Sequence, residues 1–330
     1  MKIYLTFDYE LFVNDNTGDI DNCLIIPTNK LLEVFDRQGV KATFFIDMAY
    51  AFRLDELKDE YHNLGTDYNK FCKQVHEIRE HGHEIALHLH PQWFYAVYDG
   101  EKWCMDFDHY KLSDMPHEEA DKKFDLCCKL LRDMSGYDVK SFRAGGFSIQ
   151  GYTGFYDAMK RNRLINDSSV LFGEKQITPL HSYDYSQVEK SEPYHFSNEV
   201  ALSDENGEFV EFPISTISMS LIKYCASKIK WKLVKDSSFN RWGNGGDNSD
   251  RRNKEFKDNV KRRIKEGVKT WASADGRLTE FLPLFVKDKM ASCQDNLVVL
   301  GHPKLASVGS IRNLELFIEQ NKQKHIFSTI

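Results

Sequence analysis

The chain has 330 residues, 41% hydrophobic and 13% aromatic, which is enough apolar material for a sizeable core and excludes a disordered protein. A net charge of −6 argues against general nucleic-acid binding. Seven scattered cysteines without a Cys-x-x-Cys pair fit reduced thiols better than a disulfide framework or a zinc ribbon.

In chain order, Lys2 to Phe7 reads as a strand running into Asp8-Tyr9-Glu10. No apolar h-region or small-residue cleavage site follows Met1, and no apolar run approaches spanning length, so a cytoplasmic protein without a membrane span is expected. A helix is predicted over 28–37, with Pro27 and Thr28 as start signals and Gly39 as its stop. Val40 to Ile46 is a second strand, and 69–80 a helix with Phe71, Cys72, Val75 and Ile78 on one stripe. Ile85-Ala86-Leu87 is a short buried third strand. Its period of two places His88 and His90 on one side, where two imidazoles can grip one metal ion. His83 lies an odd number of residues from His88 and receives no role. Pro91 ends the ladder, and Trp93 brings a flat aromatic to the same rim, where it can stack on a sugar or simply pack.

Residues 94–116 form a long aromatic and acidic loop of the kind that often covers a site. A helix over 116–134 leads to a fourth strand near 139–142, which ends in Arg143-Ala144-Gly145. Strand tips follow at 164–170, with Asp167 as a further candidate, at 209–214, and at 296–300, which runs into Gly301-His302-Pro303. The last helix is predicted over 310–322. Residues 220–290 depart from the alternation as a basic helical insertion, with Lys257, Lys261, Arg262, Arg263 and Lys265 on a face that reads as solvated.

Alternating strands and helices mean βαβ units and a parallel sheet. In parallel β/α barrels, chemistry sits at the carboxyl ends of the strands. Asp8, Glu10, His88, His90, Arg143, Asp167 and His302 all stand at such ends. Their convergence is the strongest signal in the sequence.

Thr6-Phe7-Asp8-Tyr9-Glu10, Gly82-His83-Glu84-Ile85 running into His88, Phe142-Arg143-Ala144-Gly145 and Leu300-Gly301-His302-Pro303 resemble the ordered motifs of the polysaccharide deacetylases, the family-four carbohydrate esterases. The Leu-His-Leu-His-Pro-x-Trp run is similar to the branch associated with lipopolysaccharide and surface-polysaccharide biosynthesis. The resemblance implies one distorted (β/α)7 barrel over 1–330 with long loop insertions. It also implies a divalent metal, usually zinc, and removal of N- or O-acetyl groups from a sugar or glycan precursor. By that resemblance Asp8 is the general base, Glu10 and His88 are metal ligands, Arg143 holds the base and His302 is the general acid. Two departures stand out. Tyr9 follows Asp8 where many members have a second Asp, and Gln92 occupies the usual place of the second metal histidine, which leaves His90 to substitute.

The chemistry agrees independently. Amide hydrolysis needs a strong nucleophile at neutral pH, and zinc held by two imidazoles and a carboxylate supplies one. Asp8 can take the water's proton, His302 can protonate the leaving amine, and Arg143 keeps Asp8 ionised. Trp93 and Asp167 are the candidate substrate contacts. An amidohydrolase-type enzyme is the rival hydrolase, though it would carry its His-x-His on the first strand. A carbohydrate-binding barrel that lost its metal is the rival from another class, and Gln92 keeps it open. The acetylated sugar and the oligomeric state are not legible.

Overall fold

The computed structural model describes residues 1–178, 181–246 and 268–330. The predicted basic segment around Lys257 to Lys265 lies outside them.

Three strands, β1 (Lys2–Tyr9), β2 (Thr43–Asp47) and β3 (Glu84–Leu89), begin a nine-stranded sheet. β1 pairs in parallel with β2, and β2 with β3. Ser141–Ala144, Asn166–Asp167 and Phe209–Glu211 continue the parallel series from β3. On the other side, Asn296–Gly301 pairs in parallel with β1, so the last long strand lies beside the first. These seven strands are the seven the sequence predicts. Two are additional: Tyr194–Phe196 is an antiparallel edge, and Ile326–Ser328 pairs with the start of β1.

The sheet curls into a distorted β/α barrel. Ile214 N donates to Val170 O (2.8 Å), while Ser215 N donates to Val298 O (3.2 Å), so one short segment ties the two ends of the curl together. Helices α1 (Ile26–Gln38), α2 (Met48–Leu57) and α3 (His62–Glu80), with His117–Ser135 and Val308–Asn321, cover the outside. α1 has Pro27 in its first turn, where a missing N–H costs nothing, and ends at Gly39 with φ 66°.

The period of two along β1 divides its residues between two environments. Phe7 and Tyr9 face the helices, where Phe7 meets Phe35 and Phe44 and Tyr9 meets Phe71. Thr6 and Asp8 face the interior, where both contact Arg143. Alternation within one strand therefore supplies a hydrophobic layer on one side and the polar floor of a site on the other.

The loop from 94 to 116 is not featureless. A short helix, Gln92–Tyr95, precedes a two-stranded hairpin of Val97–Tyr98 and Trp103–Cys104. Its aromatics face inward: Phe94, Tyr98, Trp103 and Tyr110 are all buried.

Candidate metal and catalytic centre

Glu10, His88 and His90 meet at the carboxyl end of the sheet. One donor atom from each lies within 4.8 Å of the other two, and all three residues are buried. His88 Nε2 stands 3.1 Å from Glu10 Oε2, and His90 Nε2 is in hydrogen-bond contact with the same oxygen. The two rings are 4.9 Å apart, so the strand presents both on one side.

The tautomer of His88 can be read from its other nitrogen. Nδ1 lies 2.7 Å from the Arg143 carbonyl oxygen, which can only accept, so Nδ1 carries the proton. That orientation leaves the Nε2 lone pair for a metal, the arrangement usual for a ligating histidine. His90 is positioned by a close backbone approach. A Cβ on Gly145 would lie 2.7 Å from His90 Nδ1 and 2.6 Å from Leu89 O, so only glycine fits after Ala144. Asp47 Oδ1 accepts from His90 N (3.3 Å), tying the end of β2 to the same residue. The donor set therefore fits a divalent cation, with two imidazoles and one carboxylate.

The charge balance holds two further features. Lys304, 7% exposed, donates to Glu10 Oε1 at 2.7 Å and to Leu11 O at 2.8 Å. Burial alone would raise the Glu10 carboxyl. Lys304 and the two imidazoles overcome it and hold the group well below its usual range. Burial would likewise lower His88. Asp8, Glu10 and Asp47 outweigh it and push the ring up to about 9, so without a cation this cluster holds a proton in its place.

Arg143, fully buried, organises the base. Nη1 donates to Asp8 Oδ1 at 2.7 Å, Nη2 to Thr6 Oγ1 and Ser168 Oγ, and Nε to Ser168 O. Its guanidinium lies 4.0 Å from the centre of the Phe45 ring. The free oxygen, Asp8 Oδ2, is 3.7 Å from His302 Nε2. His302 Nδ1 is 2.8 Å from Asp275 Oδ2, and its backbone N donates to Asp275 Oδ1 at 2.7 Å. Burial would lower the His302 ring, but Asp275, Asp8 and Glu10 raise it, so it carries its proton to higher pH than a free histidine.

Asp8, Glu10, His88, His90, Arg143 and His302 thus converge as the sequence predicts. Two candidates do not join them. Trp93 is fully buried, packed against a tilted Tyr50 ring (4.7 Å) and edge-on to Trp103 (5.4 Å), and offers no face to a sugar. Its place three residues past His90 puts it on a short helix that turns inward. Asp167 is also fully buried. Its oxygens accept from Ser169 N (3.0 Å) and Ser169 Oγ (2.8 Å), and Glu211 lies beside it. Burial first, then the Asp167 charge, drives the Glu211 carboxyl well above its usual range, so Glu211 keeps its proton and bonds Asp167. This pair braces the barrel wall and cannot reach substrate.

Asp275 and Lys304 are missed by the sequence reading. Their signals are faint: Asp275 follows the Val268–Trp271 strand, and Lys304 stands two residues past His302. Gln92 is fully buried, and its amide makes no hydrogen bond among the described residues. His83, given no role, is a core residue. Its Nδ1 accepts from Ala42 N (3.0 Å), and burial depresses its ring to about 4.

Comparison with known proteins adds what geometry alone does not. Residues 1–156 match the polysaccharide deacetylase family model. That deacetylase match contains Asp8, Glu10, His88, His90 and Arg143; His302, Asp275 and Lys304 lie beyond it. Among solved structures, one described as a polysaccharide deacetylase from Mycobacterium smegmatis is similar with a TM-score of 0.53 and 13% identity, over 99% of this chain and 86% of that one. This likeness shows the shared barrel fold. A structure described as a polysaccharide deacetylase from Pseudomonas aeruginosa aligns over 99% of this chain and 87% of its own, at TM-score 0.47 and 12% identity. The catalytic domain of a peptidoglycan N-acetylglucosamine deacetylase from Eubacterium rectale aligns over 99% and 88%, at TM-score 0.37 and 16% identity. No curated protein matches the chain.

Proposed function

We propose that this protein is a metal-dependent deacetylase of N- or O-acetylated sugars in a surface-polysaccharide precursor. The observation that carries the reading is the meeting, at one end of the barrel, of an Arg-held Asp8, an Asp-held His302 and the Glu10–His88–His90 donor set.

Each residue has a task that follows from its surroundings. Glu10, His88 and His90 would hold the cation, with zinc suited to two imidazoles and one carboxylate. When bound, the ion supplies Lewis acidity, lowering the pKa of a water and stabilising the charge that develops on the acetyl oxygen. Asp8 Oδ2, free because Arg143 holds Oδ1, accepts the water's proton. His302, kept protonated by Asp275, delivers a proton to the departing sugar nitrogen or oxygen from Nε2. The base and acid act in sequence, and their 3.7 Å separation keeps both within reach of one tetrahedral centre.

Asp8→Asn keeps the shape and removes the base. Turnover of acetylated chitin-type oligomers or acetamido monosaccharides should fall by about 10²–10⁴ while bound metal is retained. Measurement of metal content beside turnover decides the matter; full activity in the variant would remove Asp8 from the mechanism. A second reading, a sugar-binding barrel without metal, is favoured by one contact, the Lys304–Glu10 ion pair that balances the cluster's charge internally. Elemental analysis of the purified protein separates the two, since the second reading requires a metal-free chain.

A further inference from the structure

The helix Leu221–Leu233 buries none of its residues. Its inner side is fixed: the Trp231 ring lies 5.3 Å from Phe281, and Trp231 Nε1 donates to Glu280 Oε2 at 3.1 Å. Arg277 Nη2 also donates to Val234 O (2.8 Å), anchoring the helix end to the segment that follows Asp275. The outer side is apolar. Ile222 is 82% exposed, Ile229 60% and Leu233 77%, and Ala226 completes a stripe at spacings of four, three and four. That is one continuous helix face turned to water.

A core-facing stripe would have the opposite orientation. Here the side toward the body carries Tyr224, Ser227 and Trp231, and the larger aliphatic residues point away from it. Lysines flank the exposed stripe: Lys223 and Lys230 along one edge, Lys232 along the other, with Lys235 just past the end. Lys230 stands 4.0 Å from Glu280, whereas Lys223, Lys232 and Lys235 have no ion pair among the described residues. An outward apolar stripe flanked by exposed ammonium groups is the pattern of a helix lying in a lipid interface, its aliphatic side chains among acyl chains and its ammonium groups at the headgroups. No helix among the described residues is long and apolar enough to cross a bilayer.

We propose that the outer face of Leu221–Leu233 docks the protein on an anionic lipid surface. The charge selects this occupant. A second copy of the chain would set the same lysines against each other across a two-fold axis, and the protein's overall negative charge would otherwise keep it from such a membrane. The docking stands apart from the deacetylase reading and is tested without turnover.

The full chain is sedimented with vesicles of phosphatidylcholine alone and of phosphatidylcholine with about one-third phosphatidylglycerol. Binding is expected to the anionic vesicles, weakened by at least about tenfold in 0.5 M salt and on pure phosphatidylcholine. The variant Ile222→Ser/Ile229→Ser/Leu233→Ser changes only exposed residues, so its fold is checked by an unchanged melting midpoint, and it should lose anionic binding. Lys223→Glu/Lys232→Glu should lose it while keeping the apolar stripe. Equal sedimentation of the native chain and both variants overturns the proposal. So does a lipid-independent dimer, seen by light scattering, that the Ser variant dissociates.

Discussion

Lys304 holds the Glu10 oxygen that the two imidazoles leave free, and this contact governs what a cation adds to the molecule. Replacing it by methionine leaves a buried carboxylate short of one positive partner, a loss of about 3–5 kcal/mol for pairs of this kind. A divalent ion restores the missing charge. The rise in unfolding midpoint between EDTA-treated and zinc-loaded protein should therefore be larger in Lys304→Met than in the native chain. Equal rises in calorimetry would show that Lys304 and the ion do not share Glu10. Nothing in the sequence announces this pairing, because Lys304 and Glu10 are 294 positions apart and neither lies in a periodic pattern with the other. His88 and His90 were legible for the opposite reason: their relation is local and set by the pleat of one strand.

The segment after β3 shows how far aromatic character can mislead. Trp93 at a strand-end rim and Trp93 in a folded loop have the same sequence signature, an aromatic beside apolar and polar neighbours. What separates them is the cluster of Tyr50, Tyr98 and Trp103, which come from α2 and from a hairpin no periodicity marks. Trp93→Ala should cost about 3–5 kcal/mol of stability, the range for deleting a buried large aromatic. Urea unfolding measures that, and sugar titration measures the alternative. A variant of native stability with weakened sugar binding would return Trp93 to the rim. The loop thus forms a packed wall beside the centre. The helix at its start, Gln92–Tyr95, went unread because four residues carry no helical period. The seven parallel strands were legible as elements because most sit in or beside short apolar runs bounded by turn residues. Their bounds were not: the fourth spans Ser141–Ala144 where 139–142 is predicted, and the fifth pairs only over Asn166–Asp167 within the predicted 164–170.

At the scale of the whole barrel, Glu84 is a further buried carboxyl, at the opposite end of β3 from His88 and between strands. Its Oε2 accepts from Thr43 Oγ1 (2.7 Å) on β2, and its Oε1 from Ser141 Oγ (2.6 Å) on the next strand. Burial lifts the group to about 7, against the lowering pull of both hydroxyls, while the unfolded chain ionises it near 4.5. Between those values the folded protein binds a proton that the unfolded chain has released. The contribution is complete below 4.5 and is lost as pH rises through 7. Glu84→Gln cannot ionise and should stabilise the protein at pH 8 by up to about 3 kcal/mol, with little change near pH 4.5. Calorimetry at the two pH values tests this, and an equal shift at both would rule it out. Because Asn296–Gly301 lies against β1, the strand that brings His302 and Lys304 is made near the end of synthesis and docks beside the one made first. On a ribosome adding roughly 5–20 residues per second, Glu10 waits on the order of tens of seconds for its lysine. Until Lys304 is made, Glu10 has only the two imidazoles to balance its charge, so the centre is complete only when the carboxyl-terminal part of the chain has docked.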